Sequence, residues 1–183
     1  MSQVRFTIFD TRLGEMFVAA TEKGVCNLHY PYEQGLIHRL KRDFGLQPVR
    51  DDQMLEPVKR EITAYLSGTL RNFTCTVDLS QGTEFQRKAW QALLRIPYGK
   101  VRTYAWVAKE CNSPKAFRAA GGACHSNPVG LIVPCHRVVG SDGSMTGFGG
   151  NSDRGRCVKL ELLRMEGVPM NKDITAVDRR FLR

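Results

Sequence analysis

Two short segments near the start of the chain, VRFTIF (residues 4–9) and EMFVAA (residues 15–20), are dense in β-branched and aromatic residues. A third, GVCNLHY (residues 24–30), follows a glycine turn. Segments of this length and make-up predict three antiparallel strands. The period then changes. Leu36, Ile37, Leu40 and Phe44 share one helical face that Gly45 stops. Leu55, Val58, Ile62 and Leu66 repeat the pattern as far as Gly68. Residues 1–80 therefore read as a small α/β support domain, and no catalytic constellation is visible in them.

Residues 81–183 carry a different pattern. Thr83 and Gln86 have capping-box spacing, so each can satisfy the other's backbone N–H at a helix start. Ala89, Trp90, Leu93 and Leu94 form the apolar face of that helix, and Pro97 with Gly99 ends it. Thr103 caps a second, short helix carrying Tyr104, Val107 and Ala108. Asn112-Ser113-Pro114 then turns the chain, with Ser113 a good N-cap and Pro114 suited to the first helical position. The third helix, about 114–124, has one side built of Ala116, Ala119, Ala120, Gly122 and Ala123, with Arg118 beside it. Helix, short turn, helix is the shape of a helix-turn-helix. Glycines lower helix stability, so so many small residues imply close approach by another surface. That surface is either a neighbouring helix in the core or a nucleic-acid groove. A mainly α-helical second domain is expected.

Charge separates the two parts. The formal net charge is +9; residues 1–83 hold 10 Lys+Arg and 10 Asp+Glu, and residues 84–183 hold 17 and 8. A basic excess confined to one domain points to a polyanion, with nucleic acid first. The opening MSQVRFTIFD has no apolar core or cleavage site of a secretory signal, and no apolar run reaches the length of a membrane span. A cytoplasmic location is expected, no membrane partner is expected, and the six scattered cysteines should be reduced thiols. Nothing marks an exposed apolar interface, which favours a monomer.

The chemistry-bearing stretch is LIVPCHRVVG, residues 131–140. The apolar run VGLIV predicts a buried strand that Pro134 ends. Neighbours on a strand face opposite ways, so Cys135 and His136 can cooperate only if the backbone turns between them. A helical turn beginning at Cys135 would aim backbone N–H groups at the sulfur and lower its pKa, with His136 and Arg137 adding positive potential. A base needs a third group to orient it; Asp142, Asp153, Glu161 and Glu166 all qualify, and the residues alone do not choose among them.

Taken together, GTEFQRKAW, IPYG, TYAWVA, SPKAFRAAGGA, NPVGLIVPCHRVVG, TGFGG and LLRMEG resemble the O6-alkylguanine-DNA alkyltransferases, the suicide methylated-DNA–protein-cysteine methyltransferases. The resemblance covers residues 82–167 strongly and extends more weakly through RLGEMFVAATEKGV. It implies a ribonuclease H-like first domain and a helix-turn-helix second domain. It also implies duplex DNA held through the minor groove by the third helix, with Lys115, Ala116, Arg118, Ala119 and Gly122 at the contact. Arg118 matches the arginine that takes the place of the flipped base. Cys135 matches the cysteine that keeps the alkyl group, and no cofactor takes part. His136 matches the histidine that acts on the cysteine through water, and Glu166 the glutamate that orients it. Tyr104 matches the tyrosine directed at guanine N3, and Asn127 the asparagine behind the cysteine. The carbonyls of Cys135 and Val138 match acceptors for the guanine amino group, and the Gly149 N–H matches the donor to O6. Phe148 stands where the family usually has tyrosine, which keeps the ring wall and loses the hydroxyl. NSDRGRCVKLELL is a few residues longer than in common relatives, so Glu166 is aligned through LLRMEG. Some relatives bind zinc in the first domain; here Thr21 and Cys26 fall at two of those places, and no metal is expected.

Three other readings use the same residues. An alkyltransferase-like binding module would replace Cys135, commonly with tryptophan. A transcription factor reading the major groove would need long polar side chains, and only Lys115, Arg118 and His125 could reach base edges. A cysteine hydrolase would turn over repeatedly and would not need the basic domain.

Overall fold

A computed structural model describes residues 3–145, 153–172 and 176–182. The chain forms two compact units, one of residues 1–81 with 128–130, the other of residues 82–127 with 131–183.

In the first unit β1 (Arg5–Thr11), β2 (Gly14–Thr21) and β3 (Gly24–His29) pair antiparallel, as the β-branched and aromatic make-up of these segments predicts. The sheet has one strand more than expected. A two-residue β4 (Val49–Arg50) lies parallel to β1, giving the order β3-β2-β1-β4. Two residues carry too little periodicity to announce a strand. Phe6, Phe17 and Tyr32 stack through this unit, and Phe6 and Phe17 pack with Leu36 and Leu40 in its core. Leu36 and Leu40 come from α1 (Leu36–Phe44), which ends at left-handed Gly45. On α2 (Glu56–Leu66) Ile62, Tyr65 and Leu66 are buried, whereas Val58 is only half-buried.

The second unit begins with α3 (Glu84–Leu94), and both halves of the predicted capping box are made. The Gln86 N–H donates to Thr83 Oγ1 at 3.3 Å, and the Thr83 N–H donates to Gln86 Oε1 at 2.8 Å. Trp90 is buried and its indole N–H donates to the Ala123 carbonyl at 2.8 Å. Gly82 leaves room for that indole, since a Cβ there would lie 2.3 Å from Trp90 Cζ3. Leu94, expected on the buried face, is 39% exposed, and Ala92 is buried instead. The buried face thus keeps Ala89, Trp90 and Leu93 and shifts from Leu94 towards Ala92.

Next come α4 (Tyr104–Glu110), capped by Thr103 through the Trp106 N–H at 3.2 Å, and α5 (Phe117–His125). The two short helices are joined by residues 111–116. The expected start of α5 at Pro114 is corrected by three residues: Ala116 is the N-cap and offers no side-chain cap. The small-residue side of α5 also divides. Ala120 and Ala123 are buried against α3 and α4, while Ala119 and Gly122 face solvent with Arg118. Core packing therefore accounts for Ala120 and Ala123, and Ala119 and Gly122 are left open.

VGLIV is buried throughout, yet it is not a strand. Residues 130–133 run as turns, with Leu131 in the left-handed region at φ 71°. Burial was readable in the apolar run; the conformation was not, because a short apolar run fits a buried turn as well as a strand. The chain then enters a 3-10 turn at Cys135–Arg137 and β6 (Val138–Val139), which pairs parallel with β5 (Arg102–Thr103). This small sheet ties the start of α4 to the segment after the cysteine. The last helix, α6 (Asp153–Met165), sends Leu163 into a core with Val101 and Val139.

Candidate active site

Pro134, at φ −82° and ψ 66°, stops the chain from extending, and the Arg137 N–H closes the turn by donating to the Pro134 carbonyl at 3.0 Å. Cys135 is buried at the head of that turn. The backbone N–H groups of Cys135 and His136 and the Asn127 side chain act on the sulfur, and the charge of Lys159 favours its thiolate. The expectation of a lowered thiol pKa is corrected: burial outweighs these donors and pushes the Cys135 thiol up.

Asn127 also donates from Nδ2 to the Val133 carbonyl at 2.7 Å, spanning from the end of α5 to the residue before Pro134. His136 and Glu166 lie thirty residues apart and meet in the interior, with His136 Nε2 2.8 Å from Glu166 Oε1 and no exposure of either side chain. Burial pushes the His136 pKa down against the pull of Glu166, so the imidazole is neutral near pH 7. Burial raises Glu166, but hydrogen bonds from His136 and Arg137 and the charge of Arg137 hold it well below the usual carboxylate range, at about 2. Since His136 is neutral, Arg137 supplies the positive charge. Its guanidinium reaches Glu166 with Nε at 3.0 Å from both oxygens and Nη2 at 2.9 Å from Oε1, and Nη1 donates to the Ile96 carbonyl at 2.7 Å. The Gly99 N–H donates to Glu166 Oε2 at 2.9 Å. Among the four acidic candidates, geometry selects Glu166.

Three members of this site escaped the sequence reading. Arg137 registered only as positive potential, and nothing in PCHRV says that it clamps the carboxylate. Gly99 registered only as a helix stop; its left-handed φ of 72° and a hypothetical Cβ 2.8 Å from the Glu166 carbonyl show why it is glycine. Lys159 did leave a signal, because it sits one turn before Leu162 and Leu163 on the apolar face of α6. It is 1% exposed, donates from Nζ to the Val138 carbonyl at 2.6 Å and lies 5.8 Å from the Tyr104 ring centroid. Burial lowers its pKa to about 8.

Of the other expected residues, Tyr104 is half-buried at the first position of α4, and Val138 is buried with its carbonyl on Lys159. Arg118, Ala119 and Gly122 are exposed along α5, with Lys115 exposed and Ala116 half-buried just before it. Phe148 and Gly149 lie outside the described residues. In the first unit Thr21 Oγ1 donates to Asp78 at 2.6 Å, and burial pushes the Cys26 thiol to about 12. Among the described residues no group of three or more His, Cys, Asp or Glu is arranged to hold a metal, and no helix is long and apolar enough to cross a membrane.

The sequence families agree with this frame over most of the chain. Residues 4–79 match the 6-O-methylguanine DNA methyltransferase, ribonuclease-like domain, and residues 84–168 match the 6-O-methylguanine DNA methyltransferase, DNA binding domain. The chain belongs to the 6-O-methylguanine DNA methyltransferase family. Among methyltransferase relatives, the inducible methylated-DNA–protein-cysteine methyltransferase of Bacillus subtilis is 44% identical over 153 residues, 82% of this chain and 83% of that one. A methylated-DNA–protein-cysteine methyltransferase of Methanosarcina acetivorans is 36% identical over 88% of this chain and 97% of its own. Among solved structures, Mycobacterium tuberculosis OGT in complex with DNA is similar to this chain with TM-score 0.73, 32% identity and coverage of 88% and 92% of the two chains.

Proposed function

We propose that this chain repairs O6-alkylguanine, and with it O4-alkylthymine, in duplex DNA by moving the alkyl group irreversibly onto Cys135. The observation that carries the reading is the buried Cys135–His136 turn with Glu166 locked behind it, in a chain of the methyltransferase family. Cys135 Sγ attacks the alkyl carbon, the bond from that carbon to guanine O6 breaks, and a thioether forms. The thiol proton leaves through a bridging water to His136 Nδ1, the nitrogen opposite the one held by Glu166. Tyr104 gives a hydrogen bond or proton to guanine N3, so that the base leaves neutral. Because burial raises the thiol pKa, proton removal is coupled to attack, and the donors from Asn127, Lys159 and the backbone stabilise the sulfur as charge develops. No metal or cofactor takes a step.

A base inside a duplex cannot reach a buried sulfur, so the nucleotide is flipped, with α5 in the minor groove and Arg118 in the vacated place. The related OGT solved with DNA supports DNA as the partner. The protein acts as a cytoplasmic monomer. The sulfur of Cys135 distinguishes this reading from a binding module that only recognises the lesion.

Duplex DNA carrying radiolabelled O6-methylguanine tests the reaction. One label per protein should appear on Cys135, with none in Cys135→Ser; repeated turnover, or binding without transfer, sinks the proposal. Arg118→Ala should slow duplex repair while leaving reaction with free O6-benzylguanine unchanged. Equal losses on both substrates would remove the flipping role.

A further inference from the structure

Phe117, the first residue of α5, is 52% exposed, the most exposed large hydrophobic side chain described. The other exposed residues of the helix are Arg118, Ala119, Gly122 and His125. The helix reaches the core through Ala120, Ala123 and Cys124, and Phe117 is not among its buried residues. Its place on the helix is specific. Phe117 and Gly121 are four apart and so lie on one flank, and a Cβ on Gly121 would sit 4.0 Å from Tyr104 Cδ1. The flank bearing Phe117 is therefore the one that adjoins Tyr104. On the N-terminal side, Ser113, Pro114, Lys115 and Ala116 line a shallow concavity of about 450 Å³, and helical side chains lean in that direction. The ring thus stands between two cations of a basic unit, Lys115 and Arg118, on the Tyr104 side of the helix.

We infer that Phe117 is a second wedge for duplex DNA, entering the minor groove beside Arg118 and unstacking the base step next to the extruded nucleotide. The inference rests on the minor-groove reading of α5 given above. The occupant is DNA because the surrounding charge is positive and the open face is otherwise small enough for a groove to close on it. Apolar side chains inserted at base steps are how minor-groove proteins kink and unstack a duplex. Arg118 fills the gap left by the base; Phe117 weakens the stacking that opposes its departure. The two residues, adjacent in sequence, divide filling from prying.

The test compares Phe117→Ala, Phe117→Trp and Arg118→Ala with wild type under single-turnover conditions. Duplex O6-methylguanine and free O6-benzylguanine are the substrates, and a 2-aminopurine beside the lesion reports unstacking. Phe117→Ala should slow duplex repair by about tenfold, equivalent to about 1.4 kcal/mol, and should lose the rise in 2-aminopurine fluorescence. Its rate on the free base should be unchanged, and Phe117→Trp should restore both duplex readouts. An unchanged duplex rate, an undiminished fluorescence rise, or an equal loss on the free base overturns the inference. If Arg118→Ala shows its duplex-specific loss while Phe117→Ala does not, the wedge fails alone. If Arg118→Ala shows no such loss, the minor-groove reading fails with it.

Discussion

At the scale of single residues, the site is organised around one buried carboxylate and one buried ammonium with opposite consequences. Glu166 is satisfied from three sides, by His136, Arg137 and the Gly99 N–H. Its pKa falls from 4.5 to about 2, so its contribution to stability is complete above the unfolded value and disappears as pH falls through the folded one. The difference corresponds to about 3 kcal/mol. Acid titration should therefore show wild type losing stability between about pH 4.5 and about pH 2. Glu166→Gln should be flatter in that window and less stable at neutral pH by roughly 3 kcal/mol, because Arg137 keeps its charge in the interior without its partner. Parallel acid profiles would contradict the clamp. Lys159 has the reverse sign. Its pKa is lowered to about 8, so below that pH the fold carries the cost of a buried charge, and the cost disappears as pH rises towards 10.5. Lys159→Met should keep or raise the melting temperature at neutral pH. The same change should push the Cys135 thiol further up, read as slower iodoacetamide labelling of the Cys135 peptide from about pH 6 to about pH 9. Unchanged labelling would show that the ammonium serves packing and not the sulfur.

At the scale of elements, legibility followed period and length. The three long strands of the first unit and the helices α1, α2 and α3 were visible because their β-branched and aromatic make-up or recurring apolar positions extend over six to eleven residues. The capping box of α3 was visible because two side chains at fixed spacing make it. What escaped was short or made by the backbone: β4, the β5–β6 pair, and the turns that bury VGLIV without a strand. Ser113 and Pro114 carry a start signal that α5 does not use, because the chain spends three more residues turning before Ala116. The site divides the same way. Cys135, His136 and Glu166 were legible by family motif, while Arg137 and Gly99 act through contacts that span sequence distances no local pattern reports, and Lys159 left only the signal of a charge on the apolar face of α6. The Gly82–Trp90 contact gives a direct test at this scale. A Cβ at Gly82 would lie 2.3 Å from a buried indole whose N–H is fixed on Ala123. Gly82→Ala should destabilise the protein by about 1–3 kcal/mol, the usual range for overpacking, measured by urea unfolding. A neutral result would mean that Trp90 can shift and still hold α3 to α5.

At the scale of the whole molecule, charge is divided unequally between the two parts of the chain. The first unit supplies a sheet and a neutral balance of side chains. The basic excess lies entirely in residues 84–183, the part that holds α5 and the cysteine. A basic excess confined to one unit would attract a polyanion to that unit. Phosphate contacts release counterions, so the logarithm of the duplex affinity should fall linearly with the logarithm of salt concentration, by about 0.9 for each phosphate neutralised. Lys115→Ala and Arg118→Ala should separate on that plot. A lysine that touches phosphate lowers the slope by about one and weakens binding to all duplexes alike. An arginine that fills the place of a flipped base leaves the slope nearly unchanged and lowers the alkyl-transfer rate. Reaction with free O6-benzylguanine has no phosphate to neutralise, and its rate should stay constant over the same salt range in wild type and in both variants. Salt sensitivity on the free base would place the charge effect at the sulfur instead of at the groove.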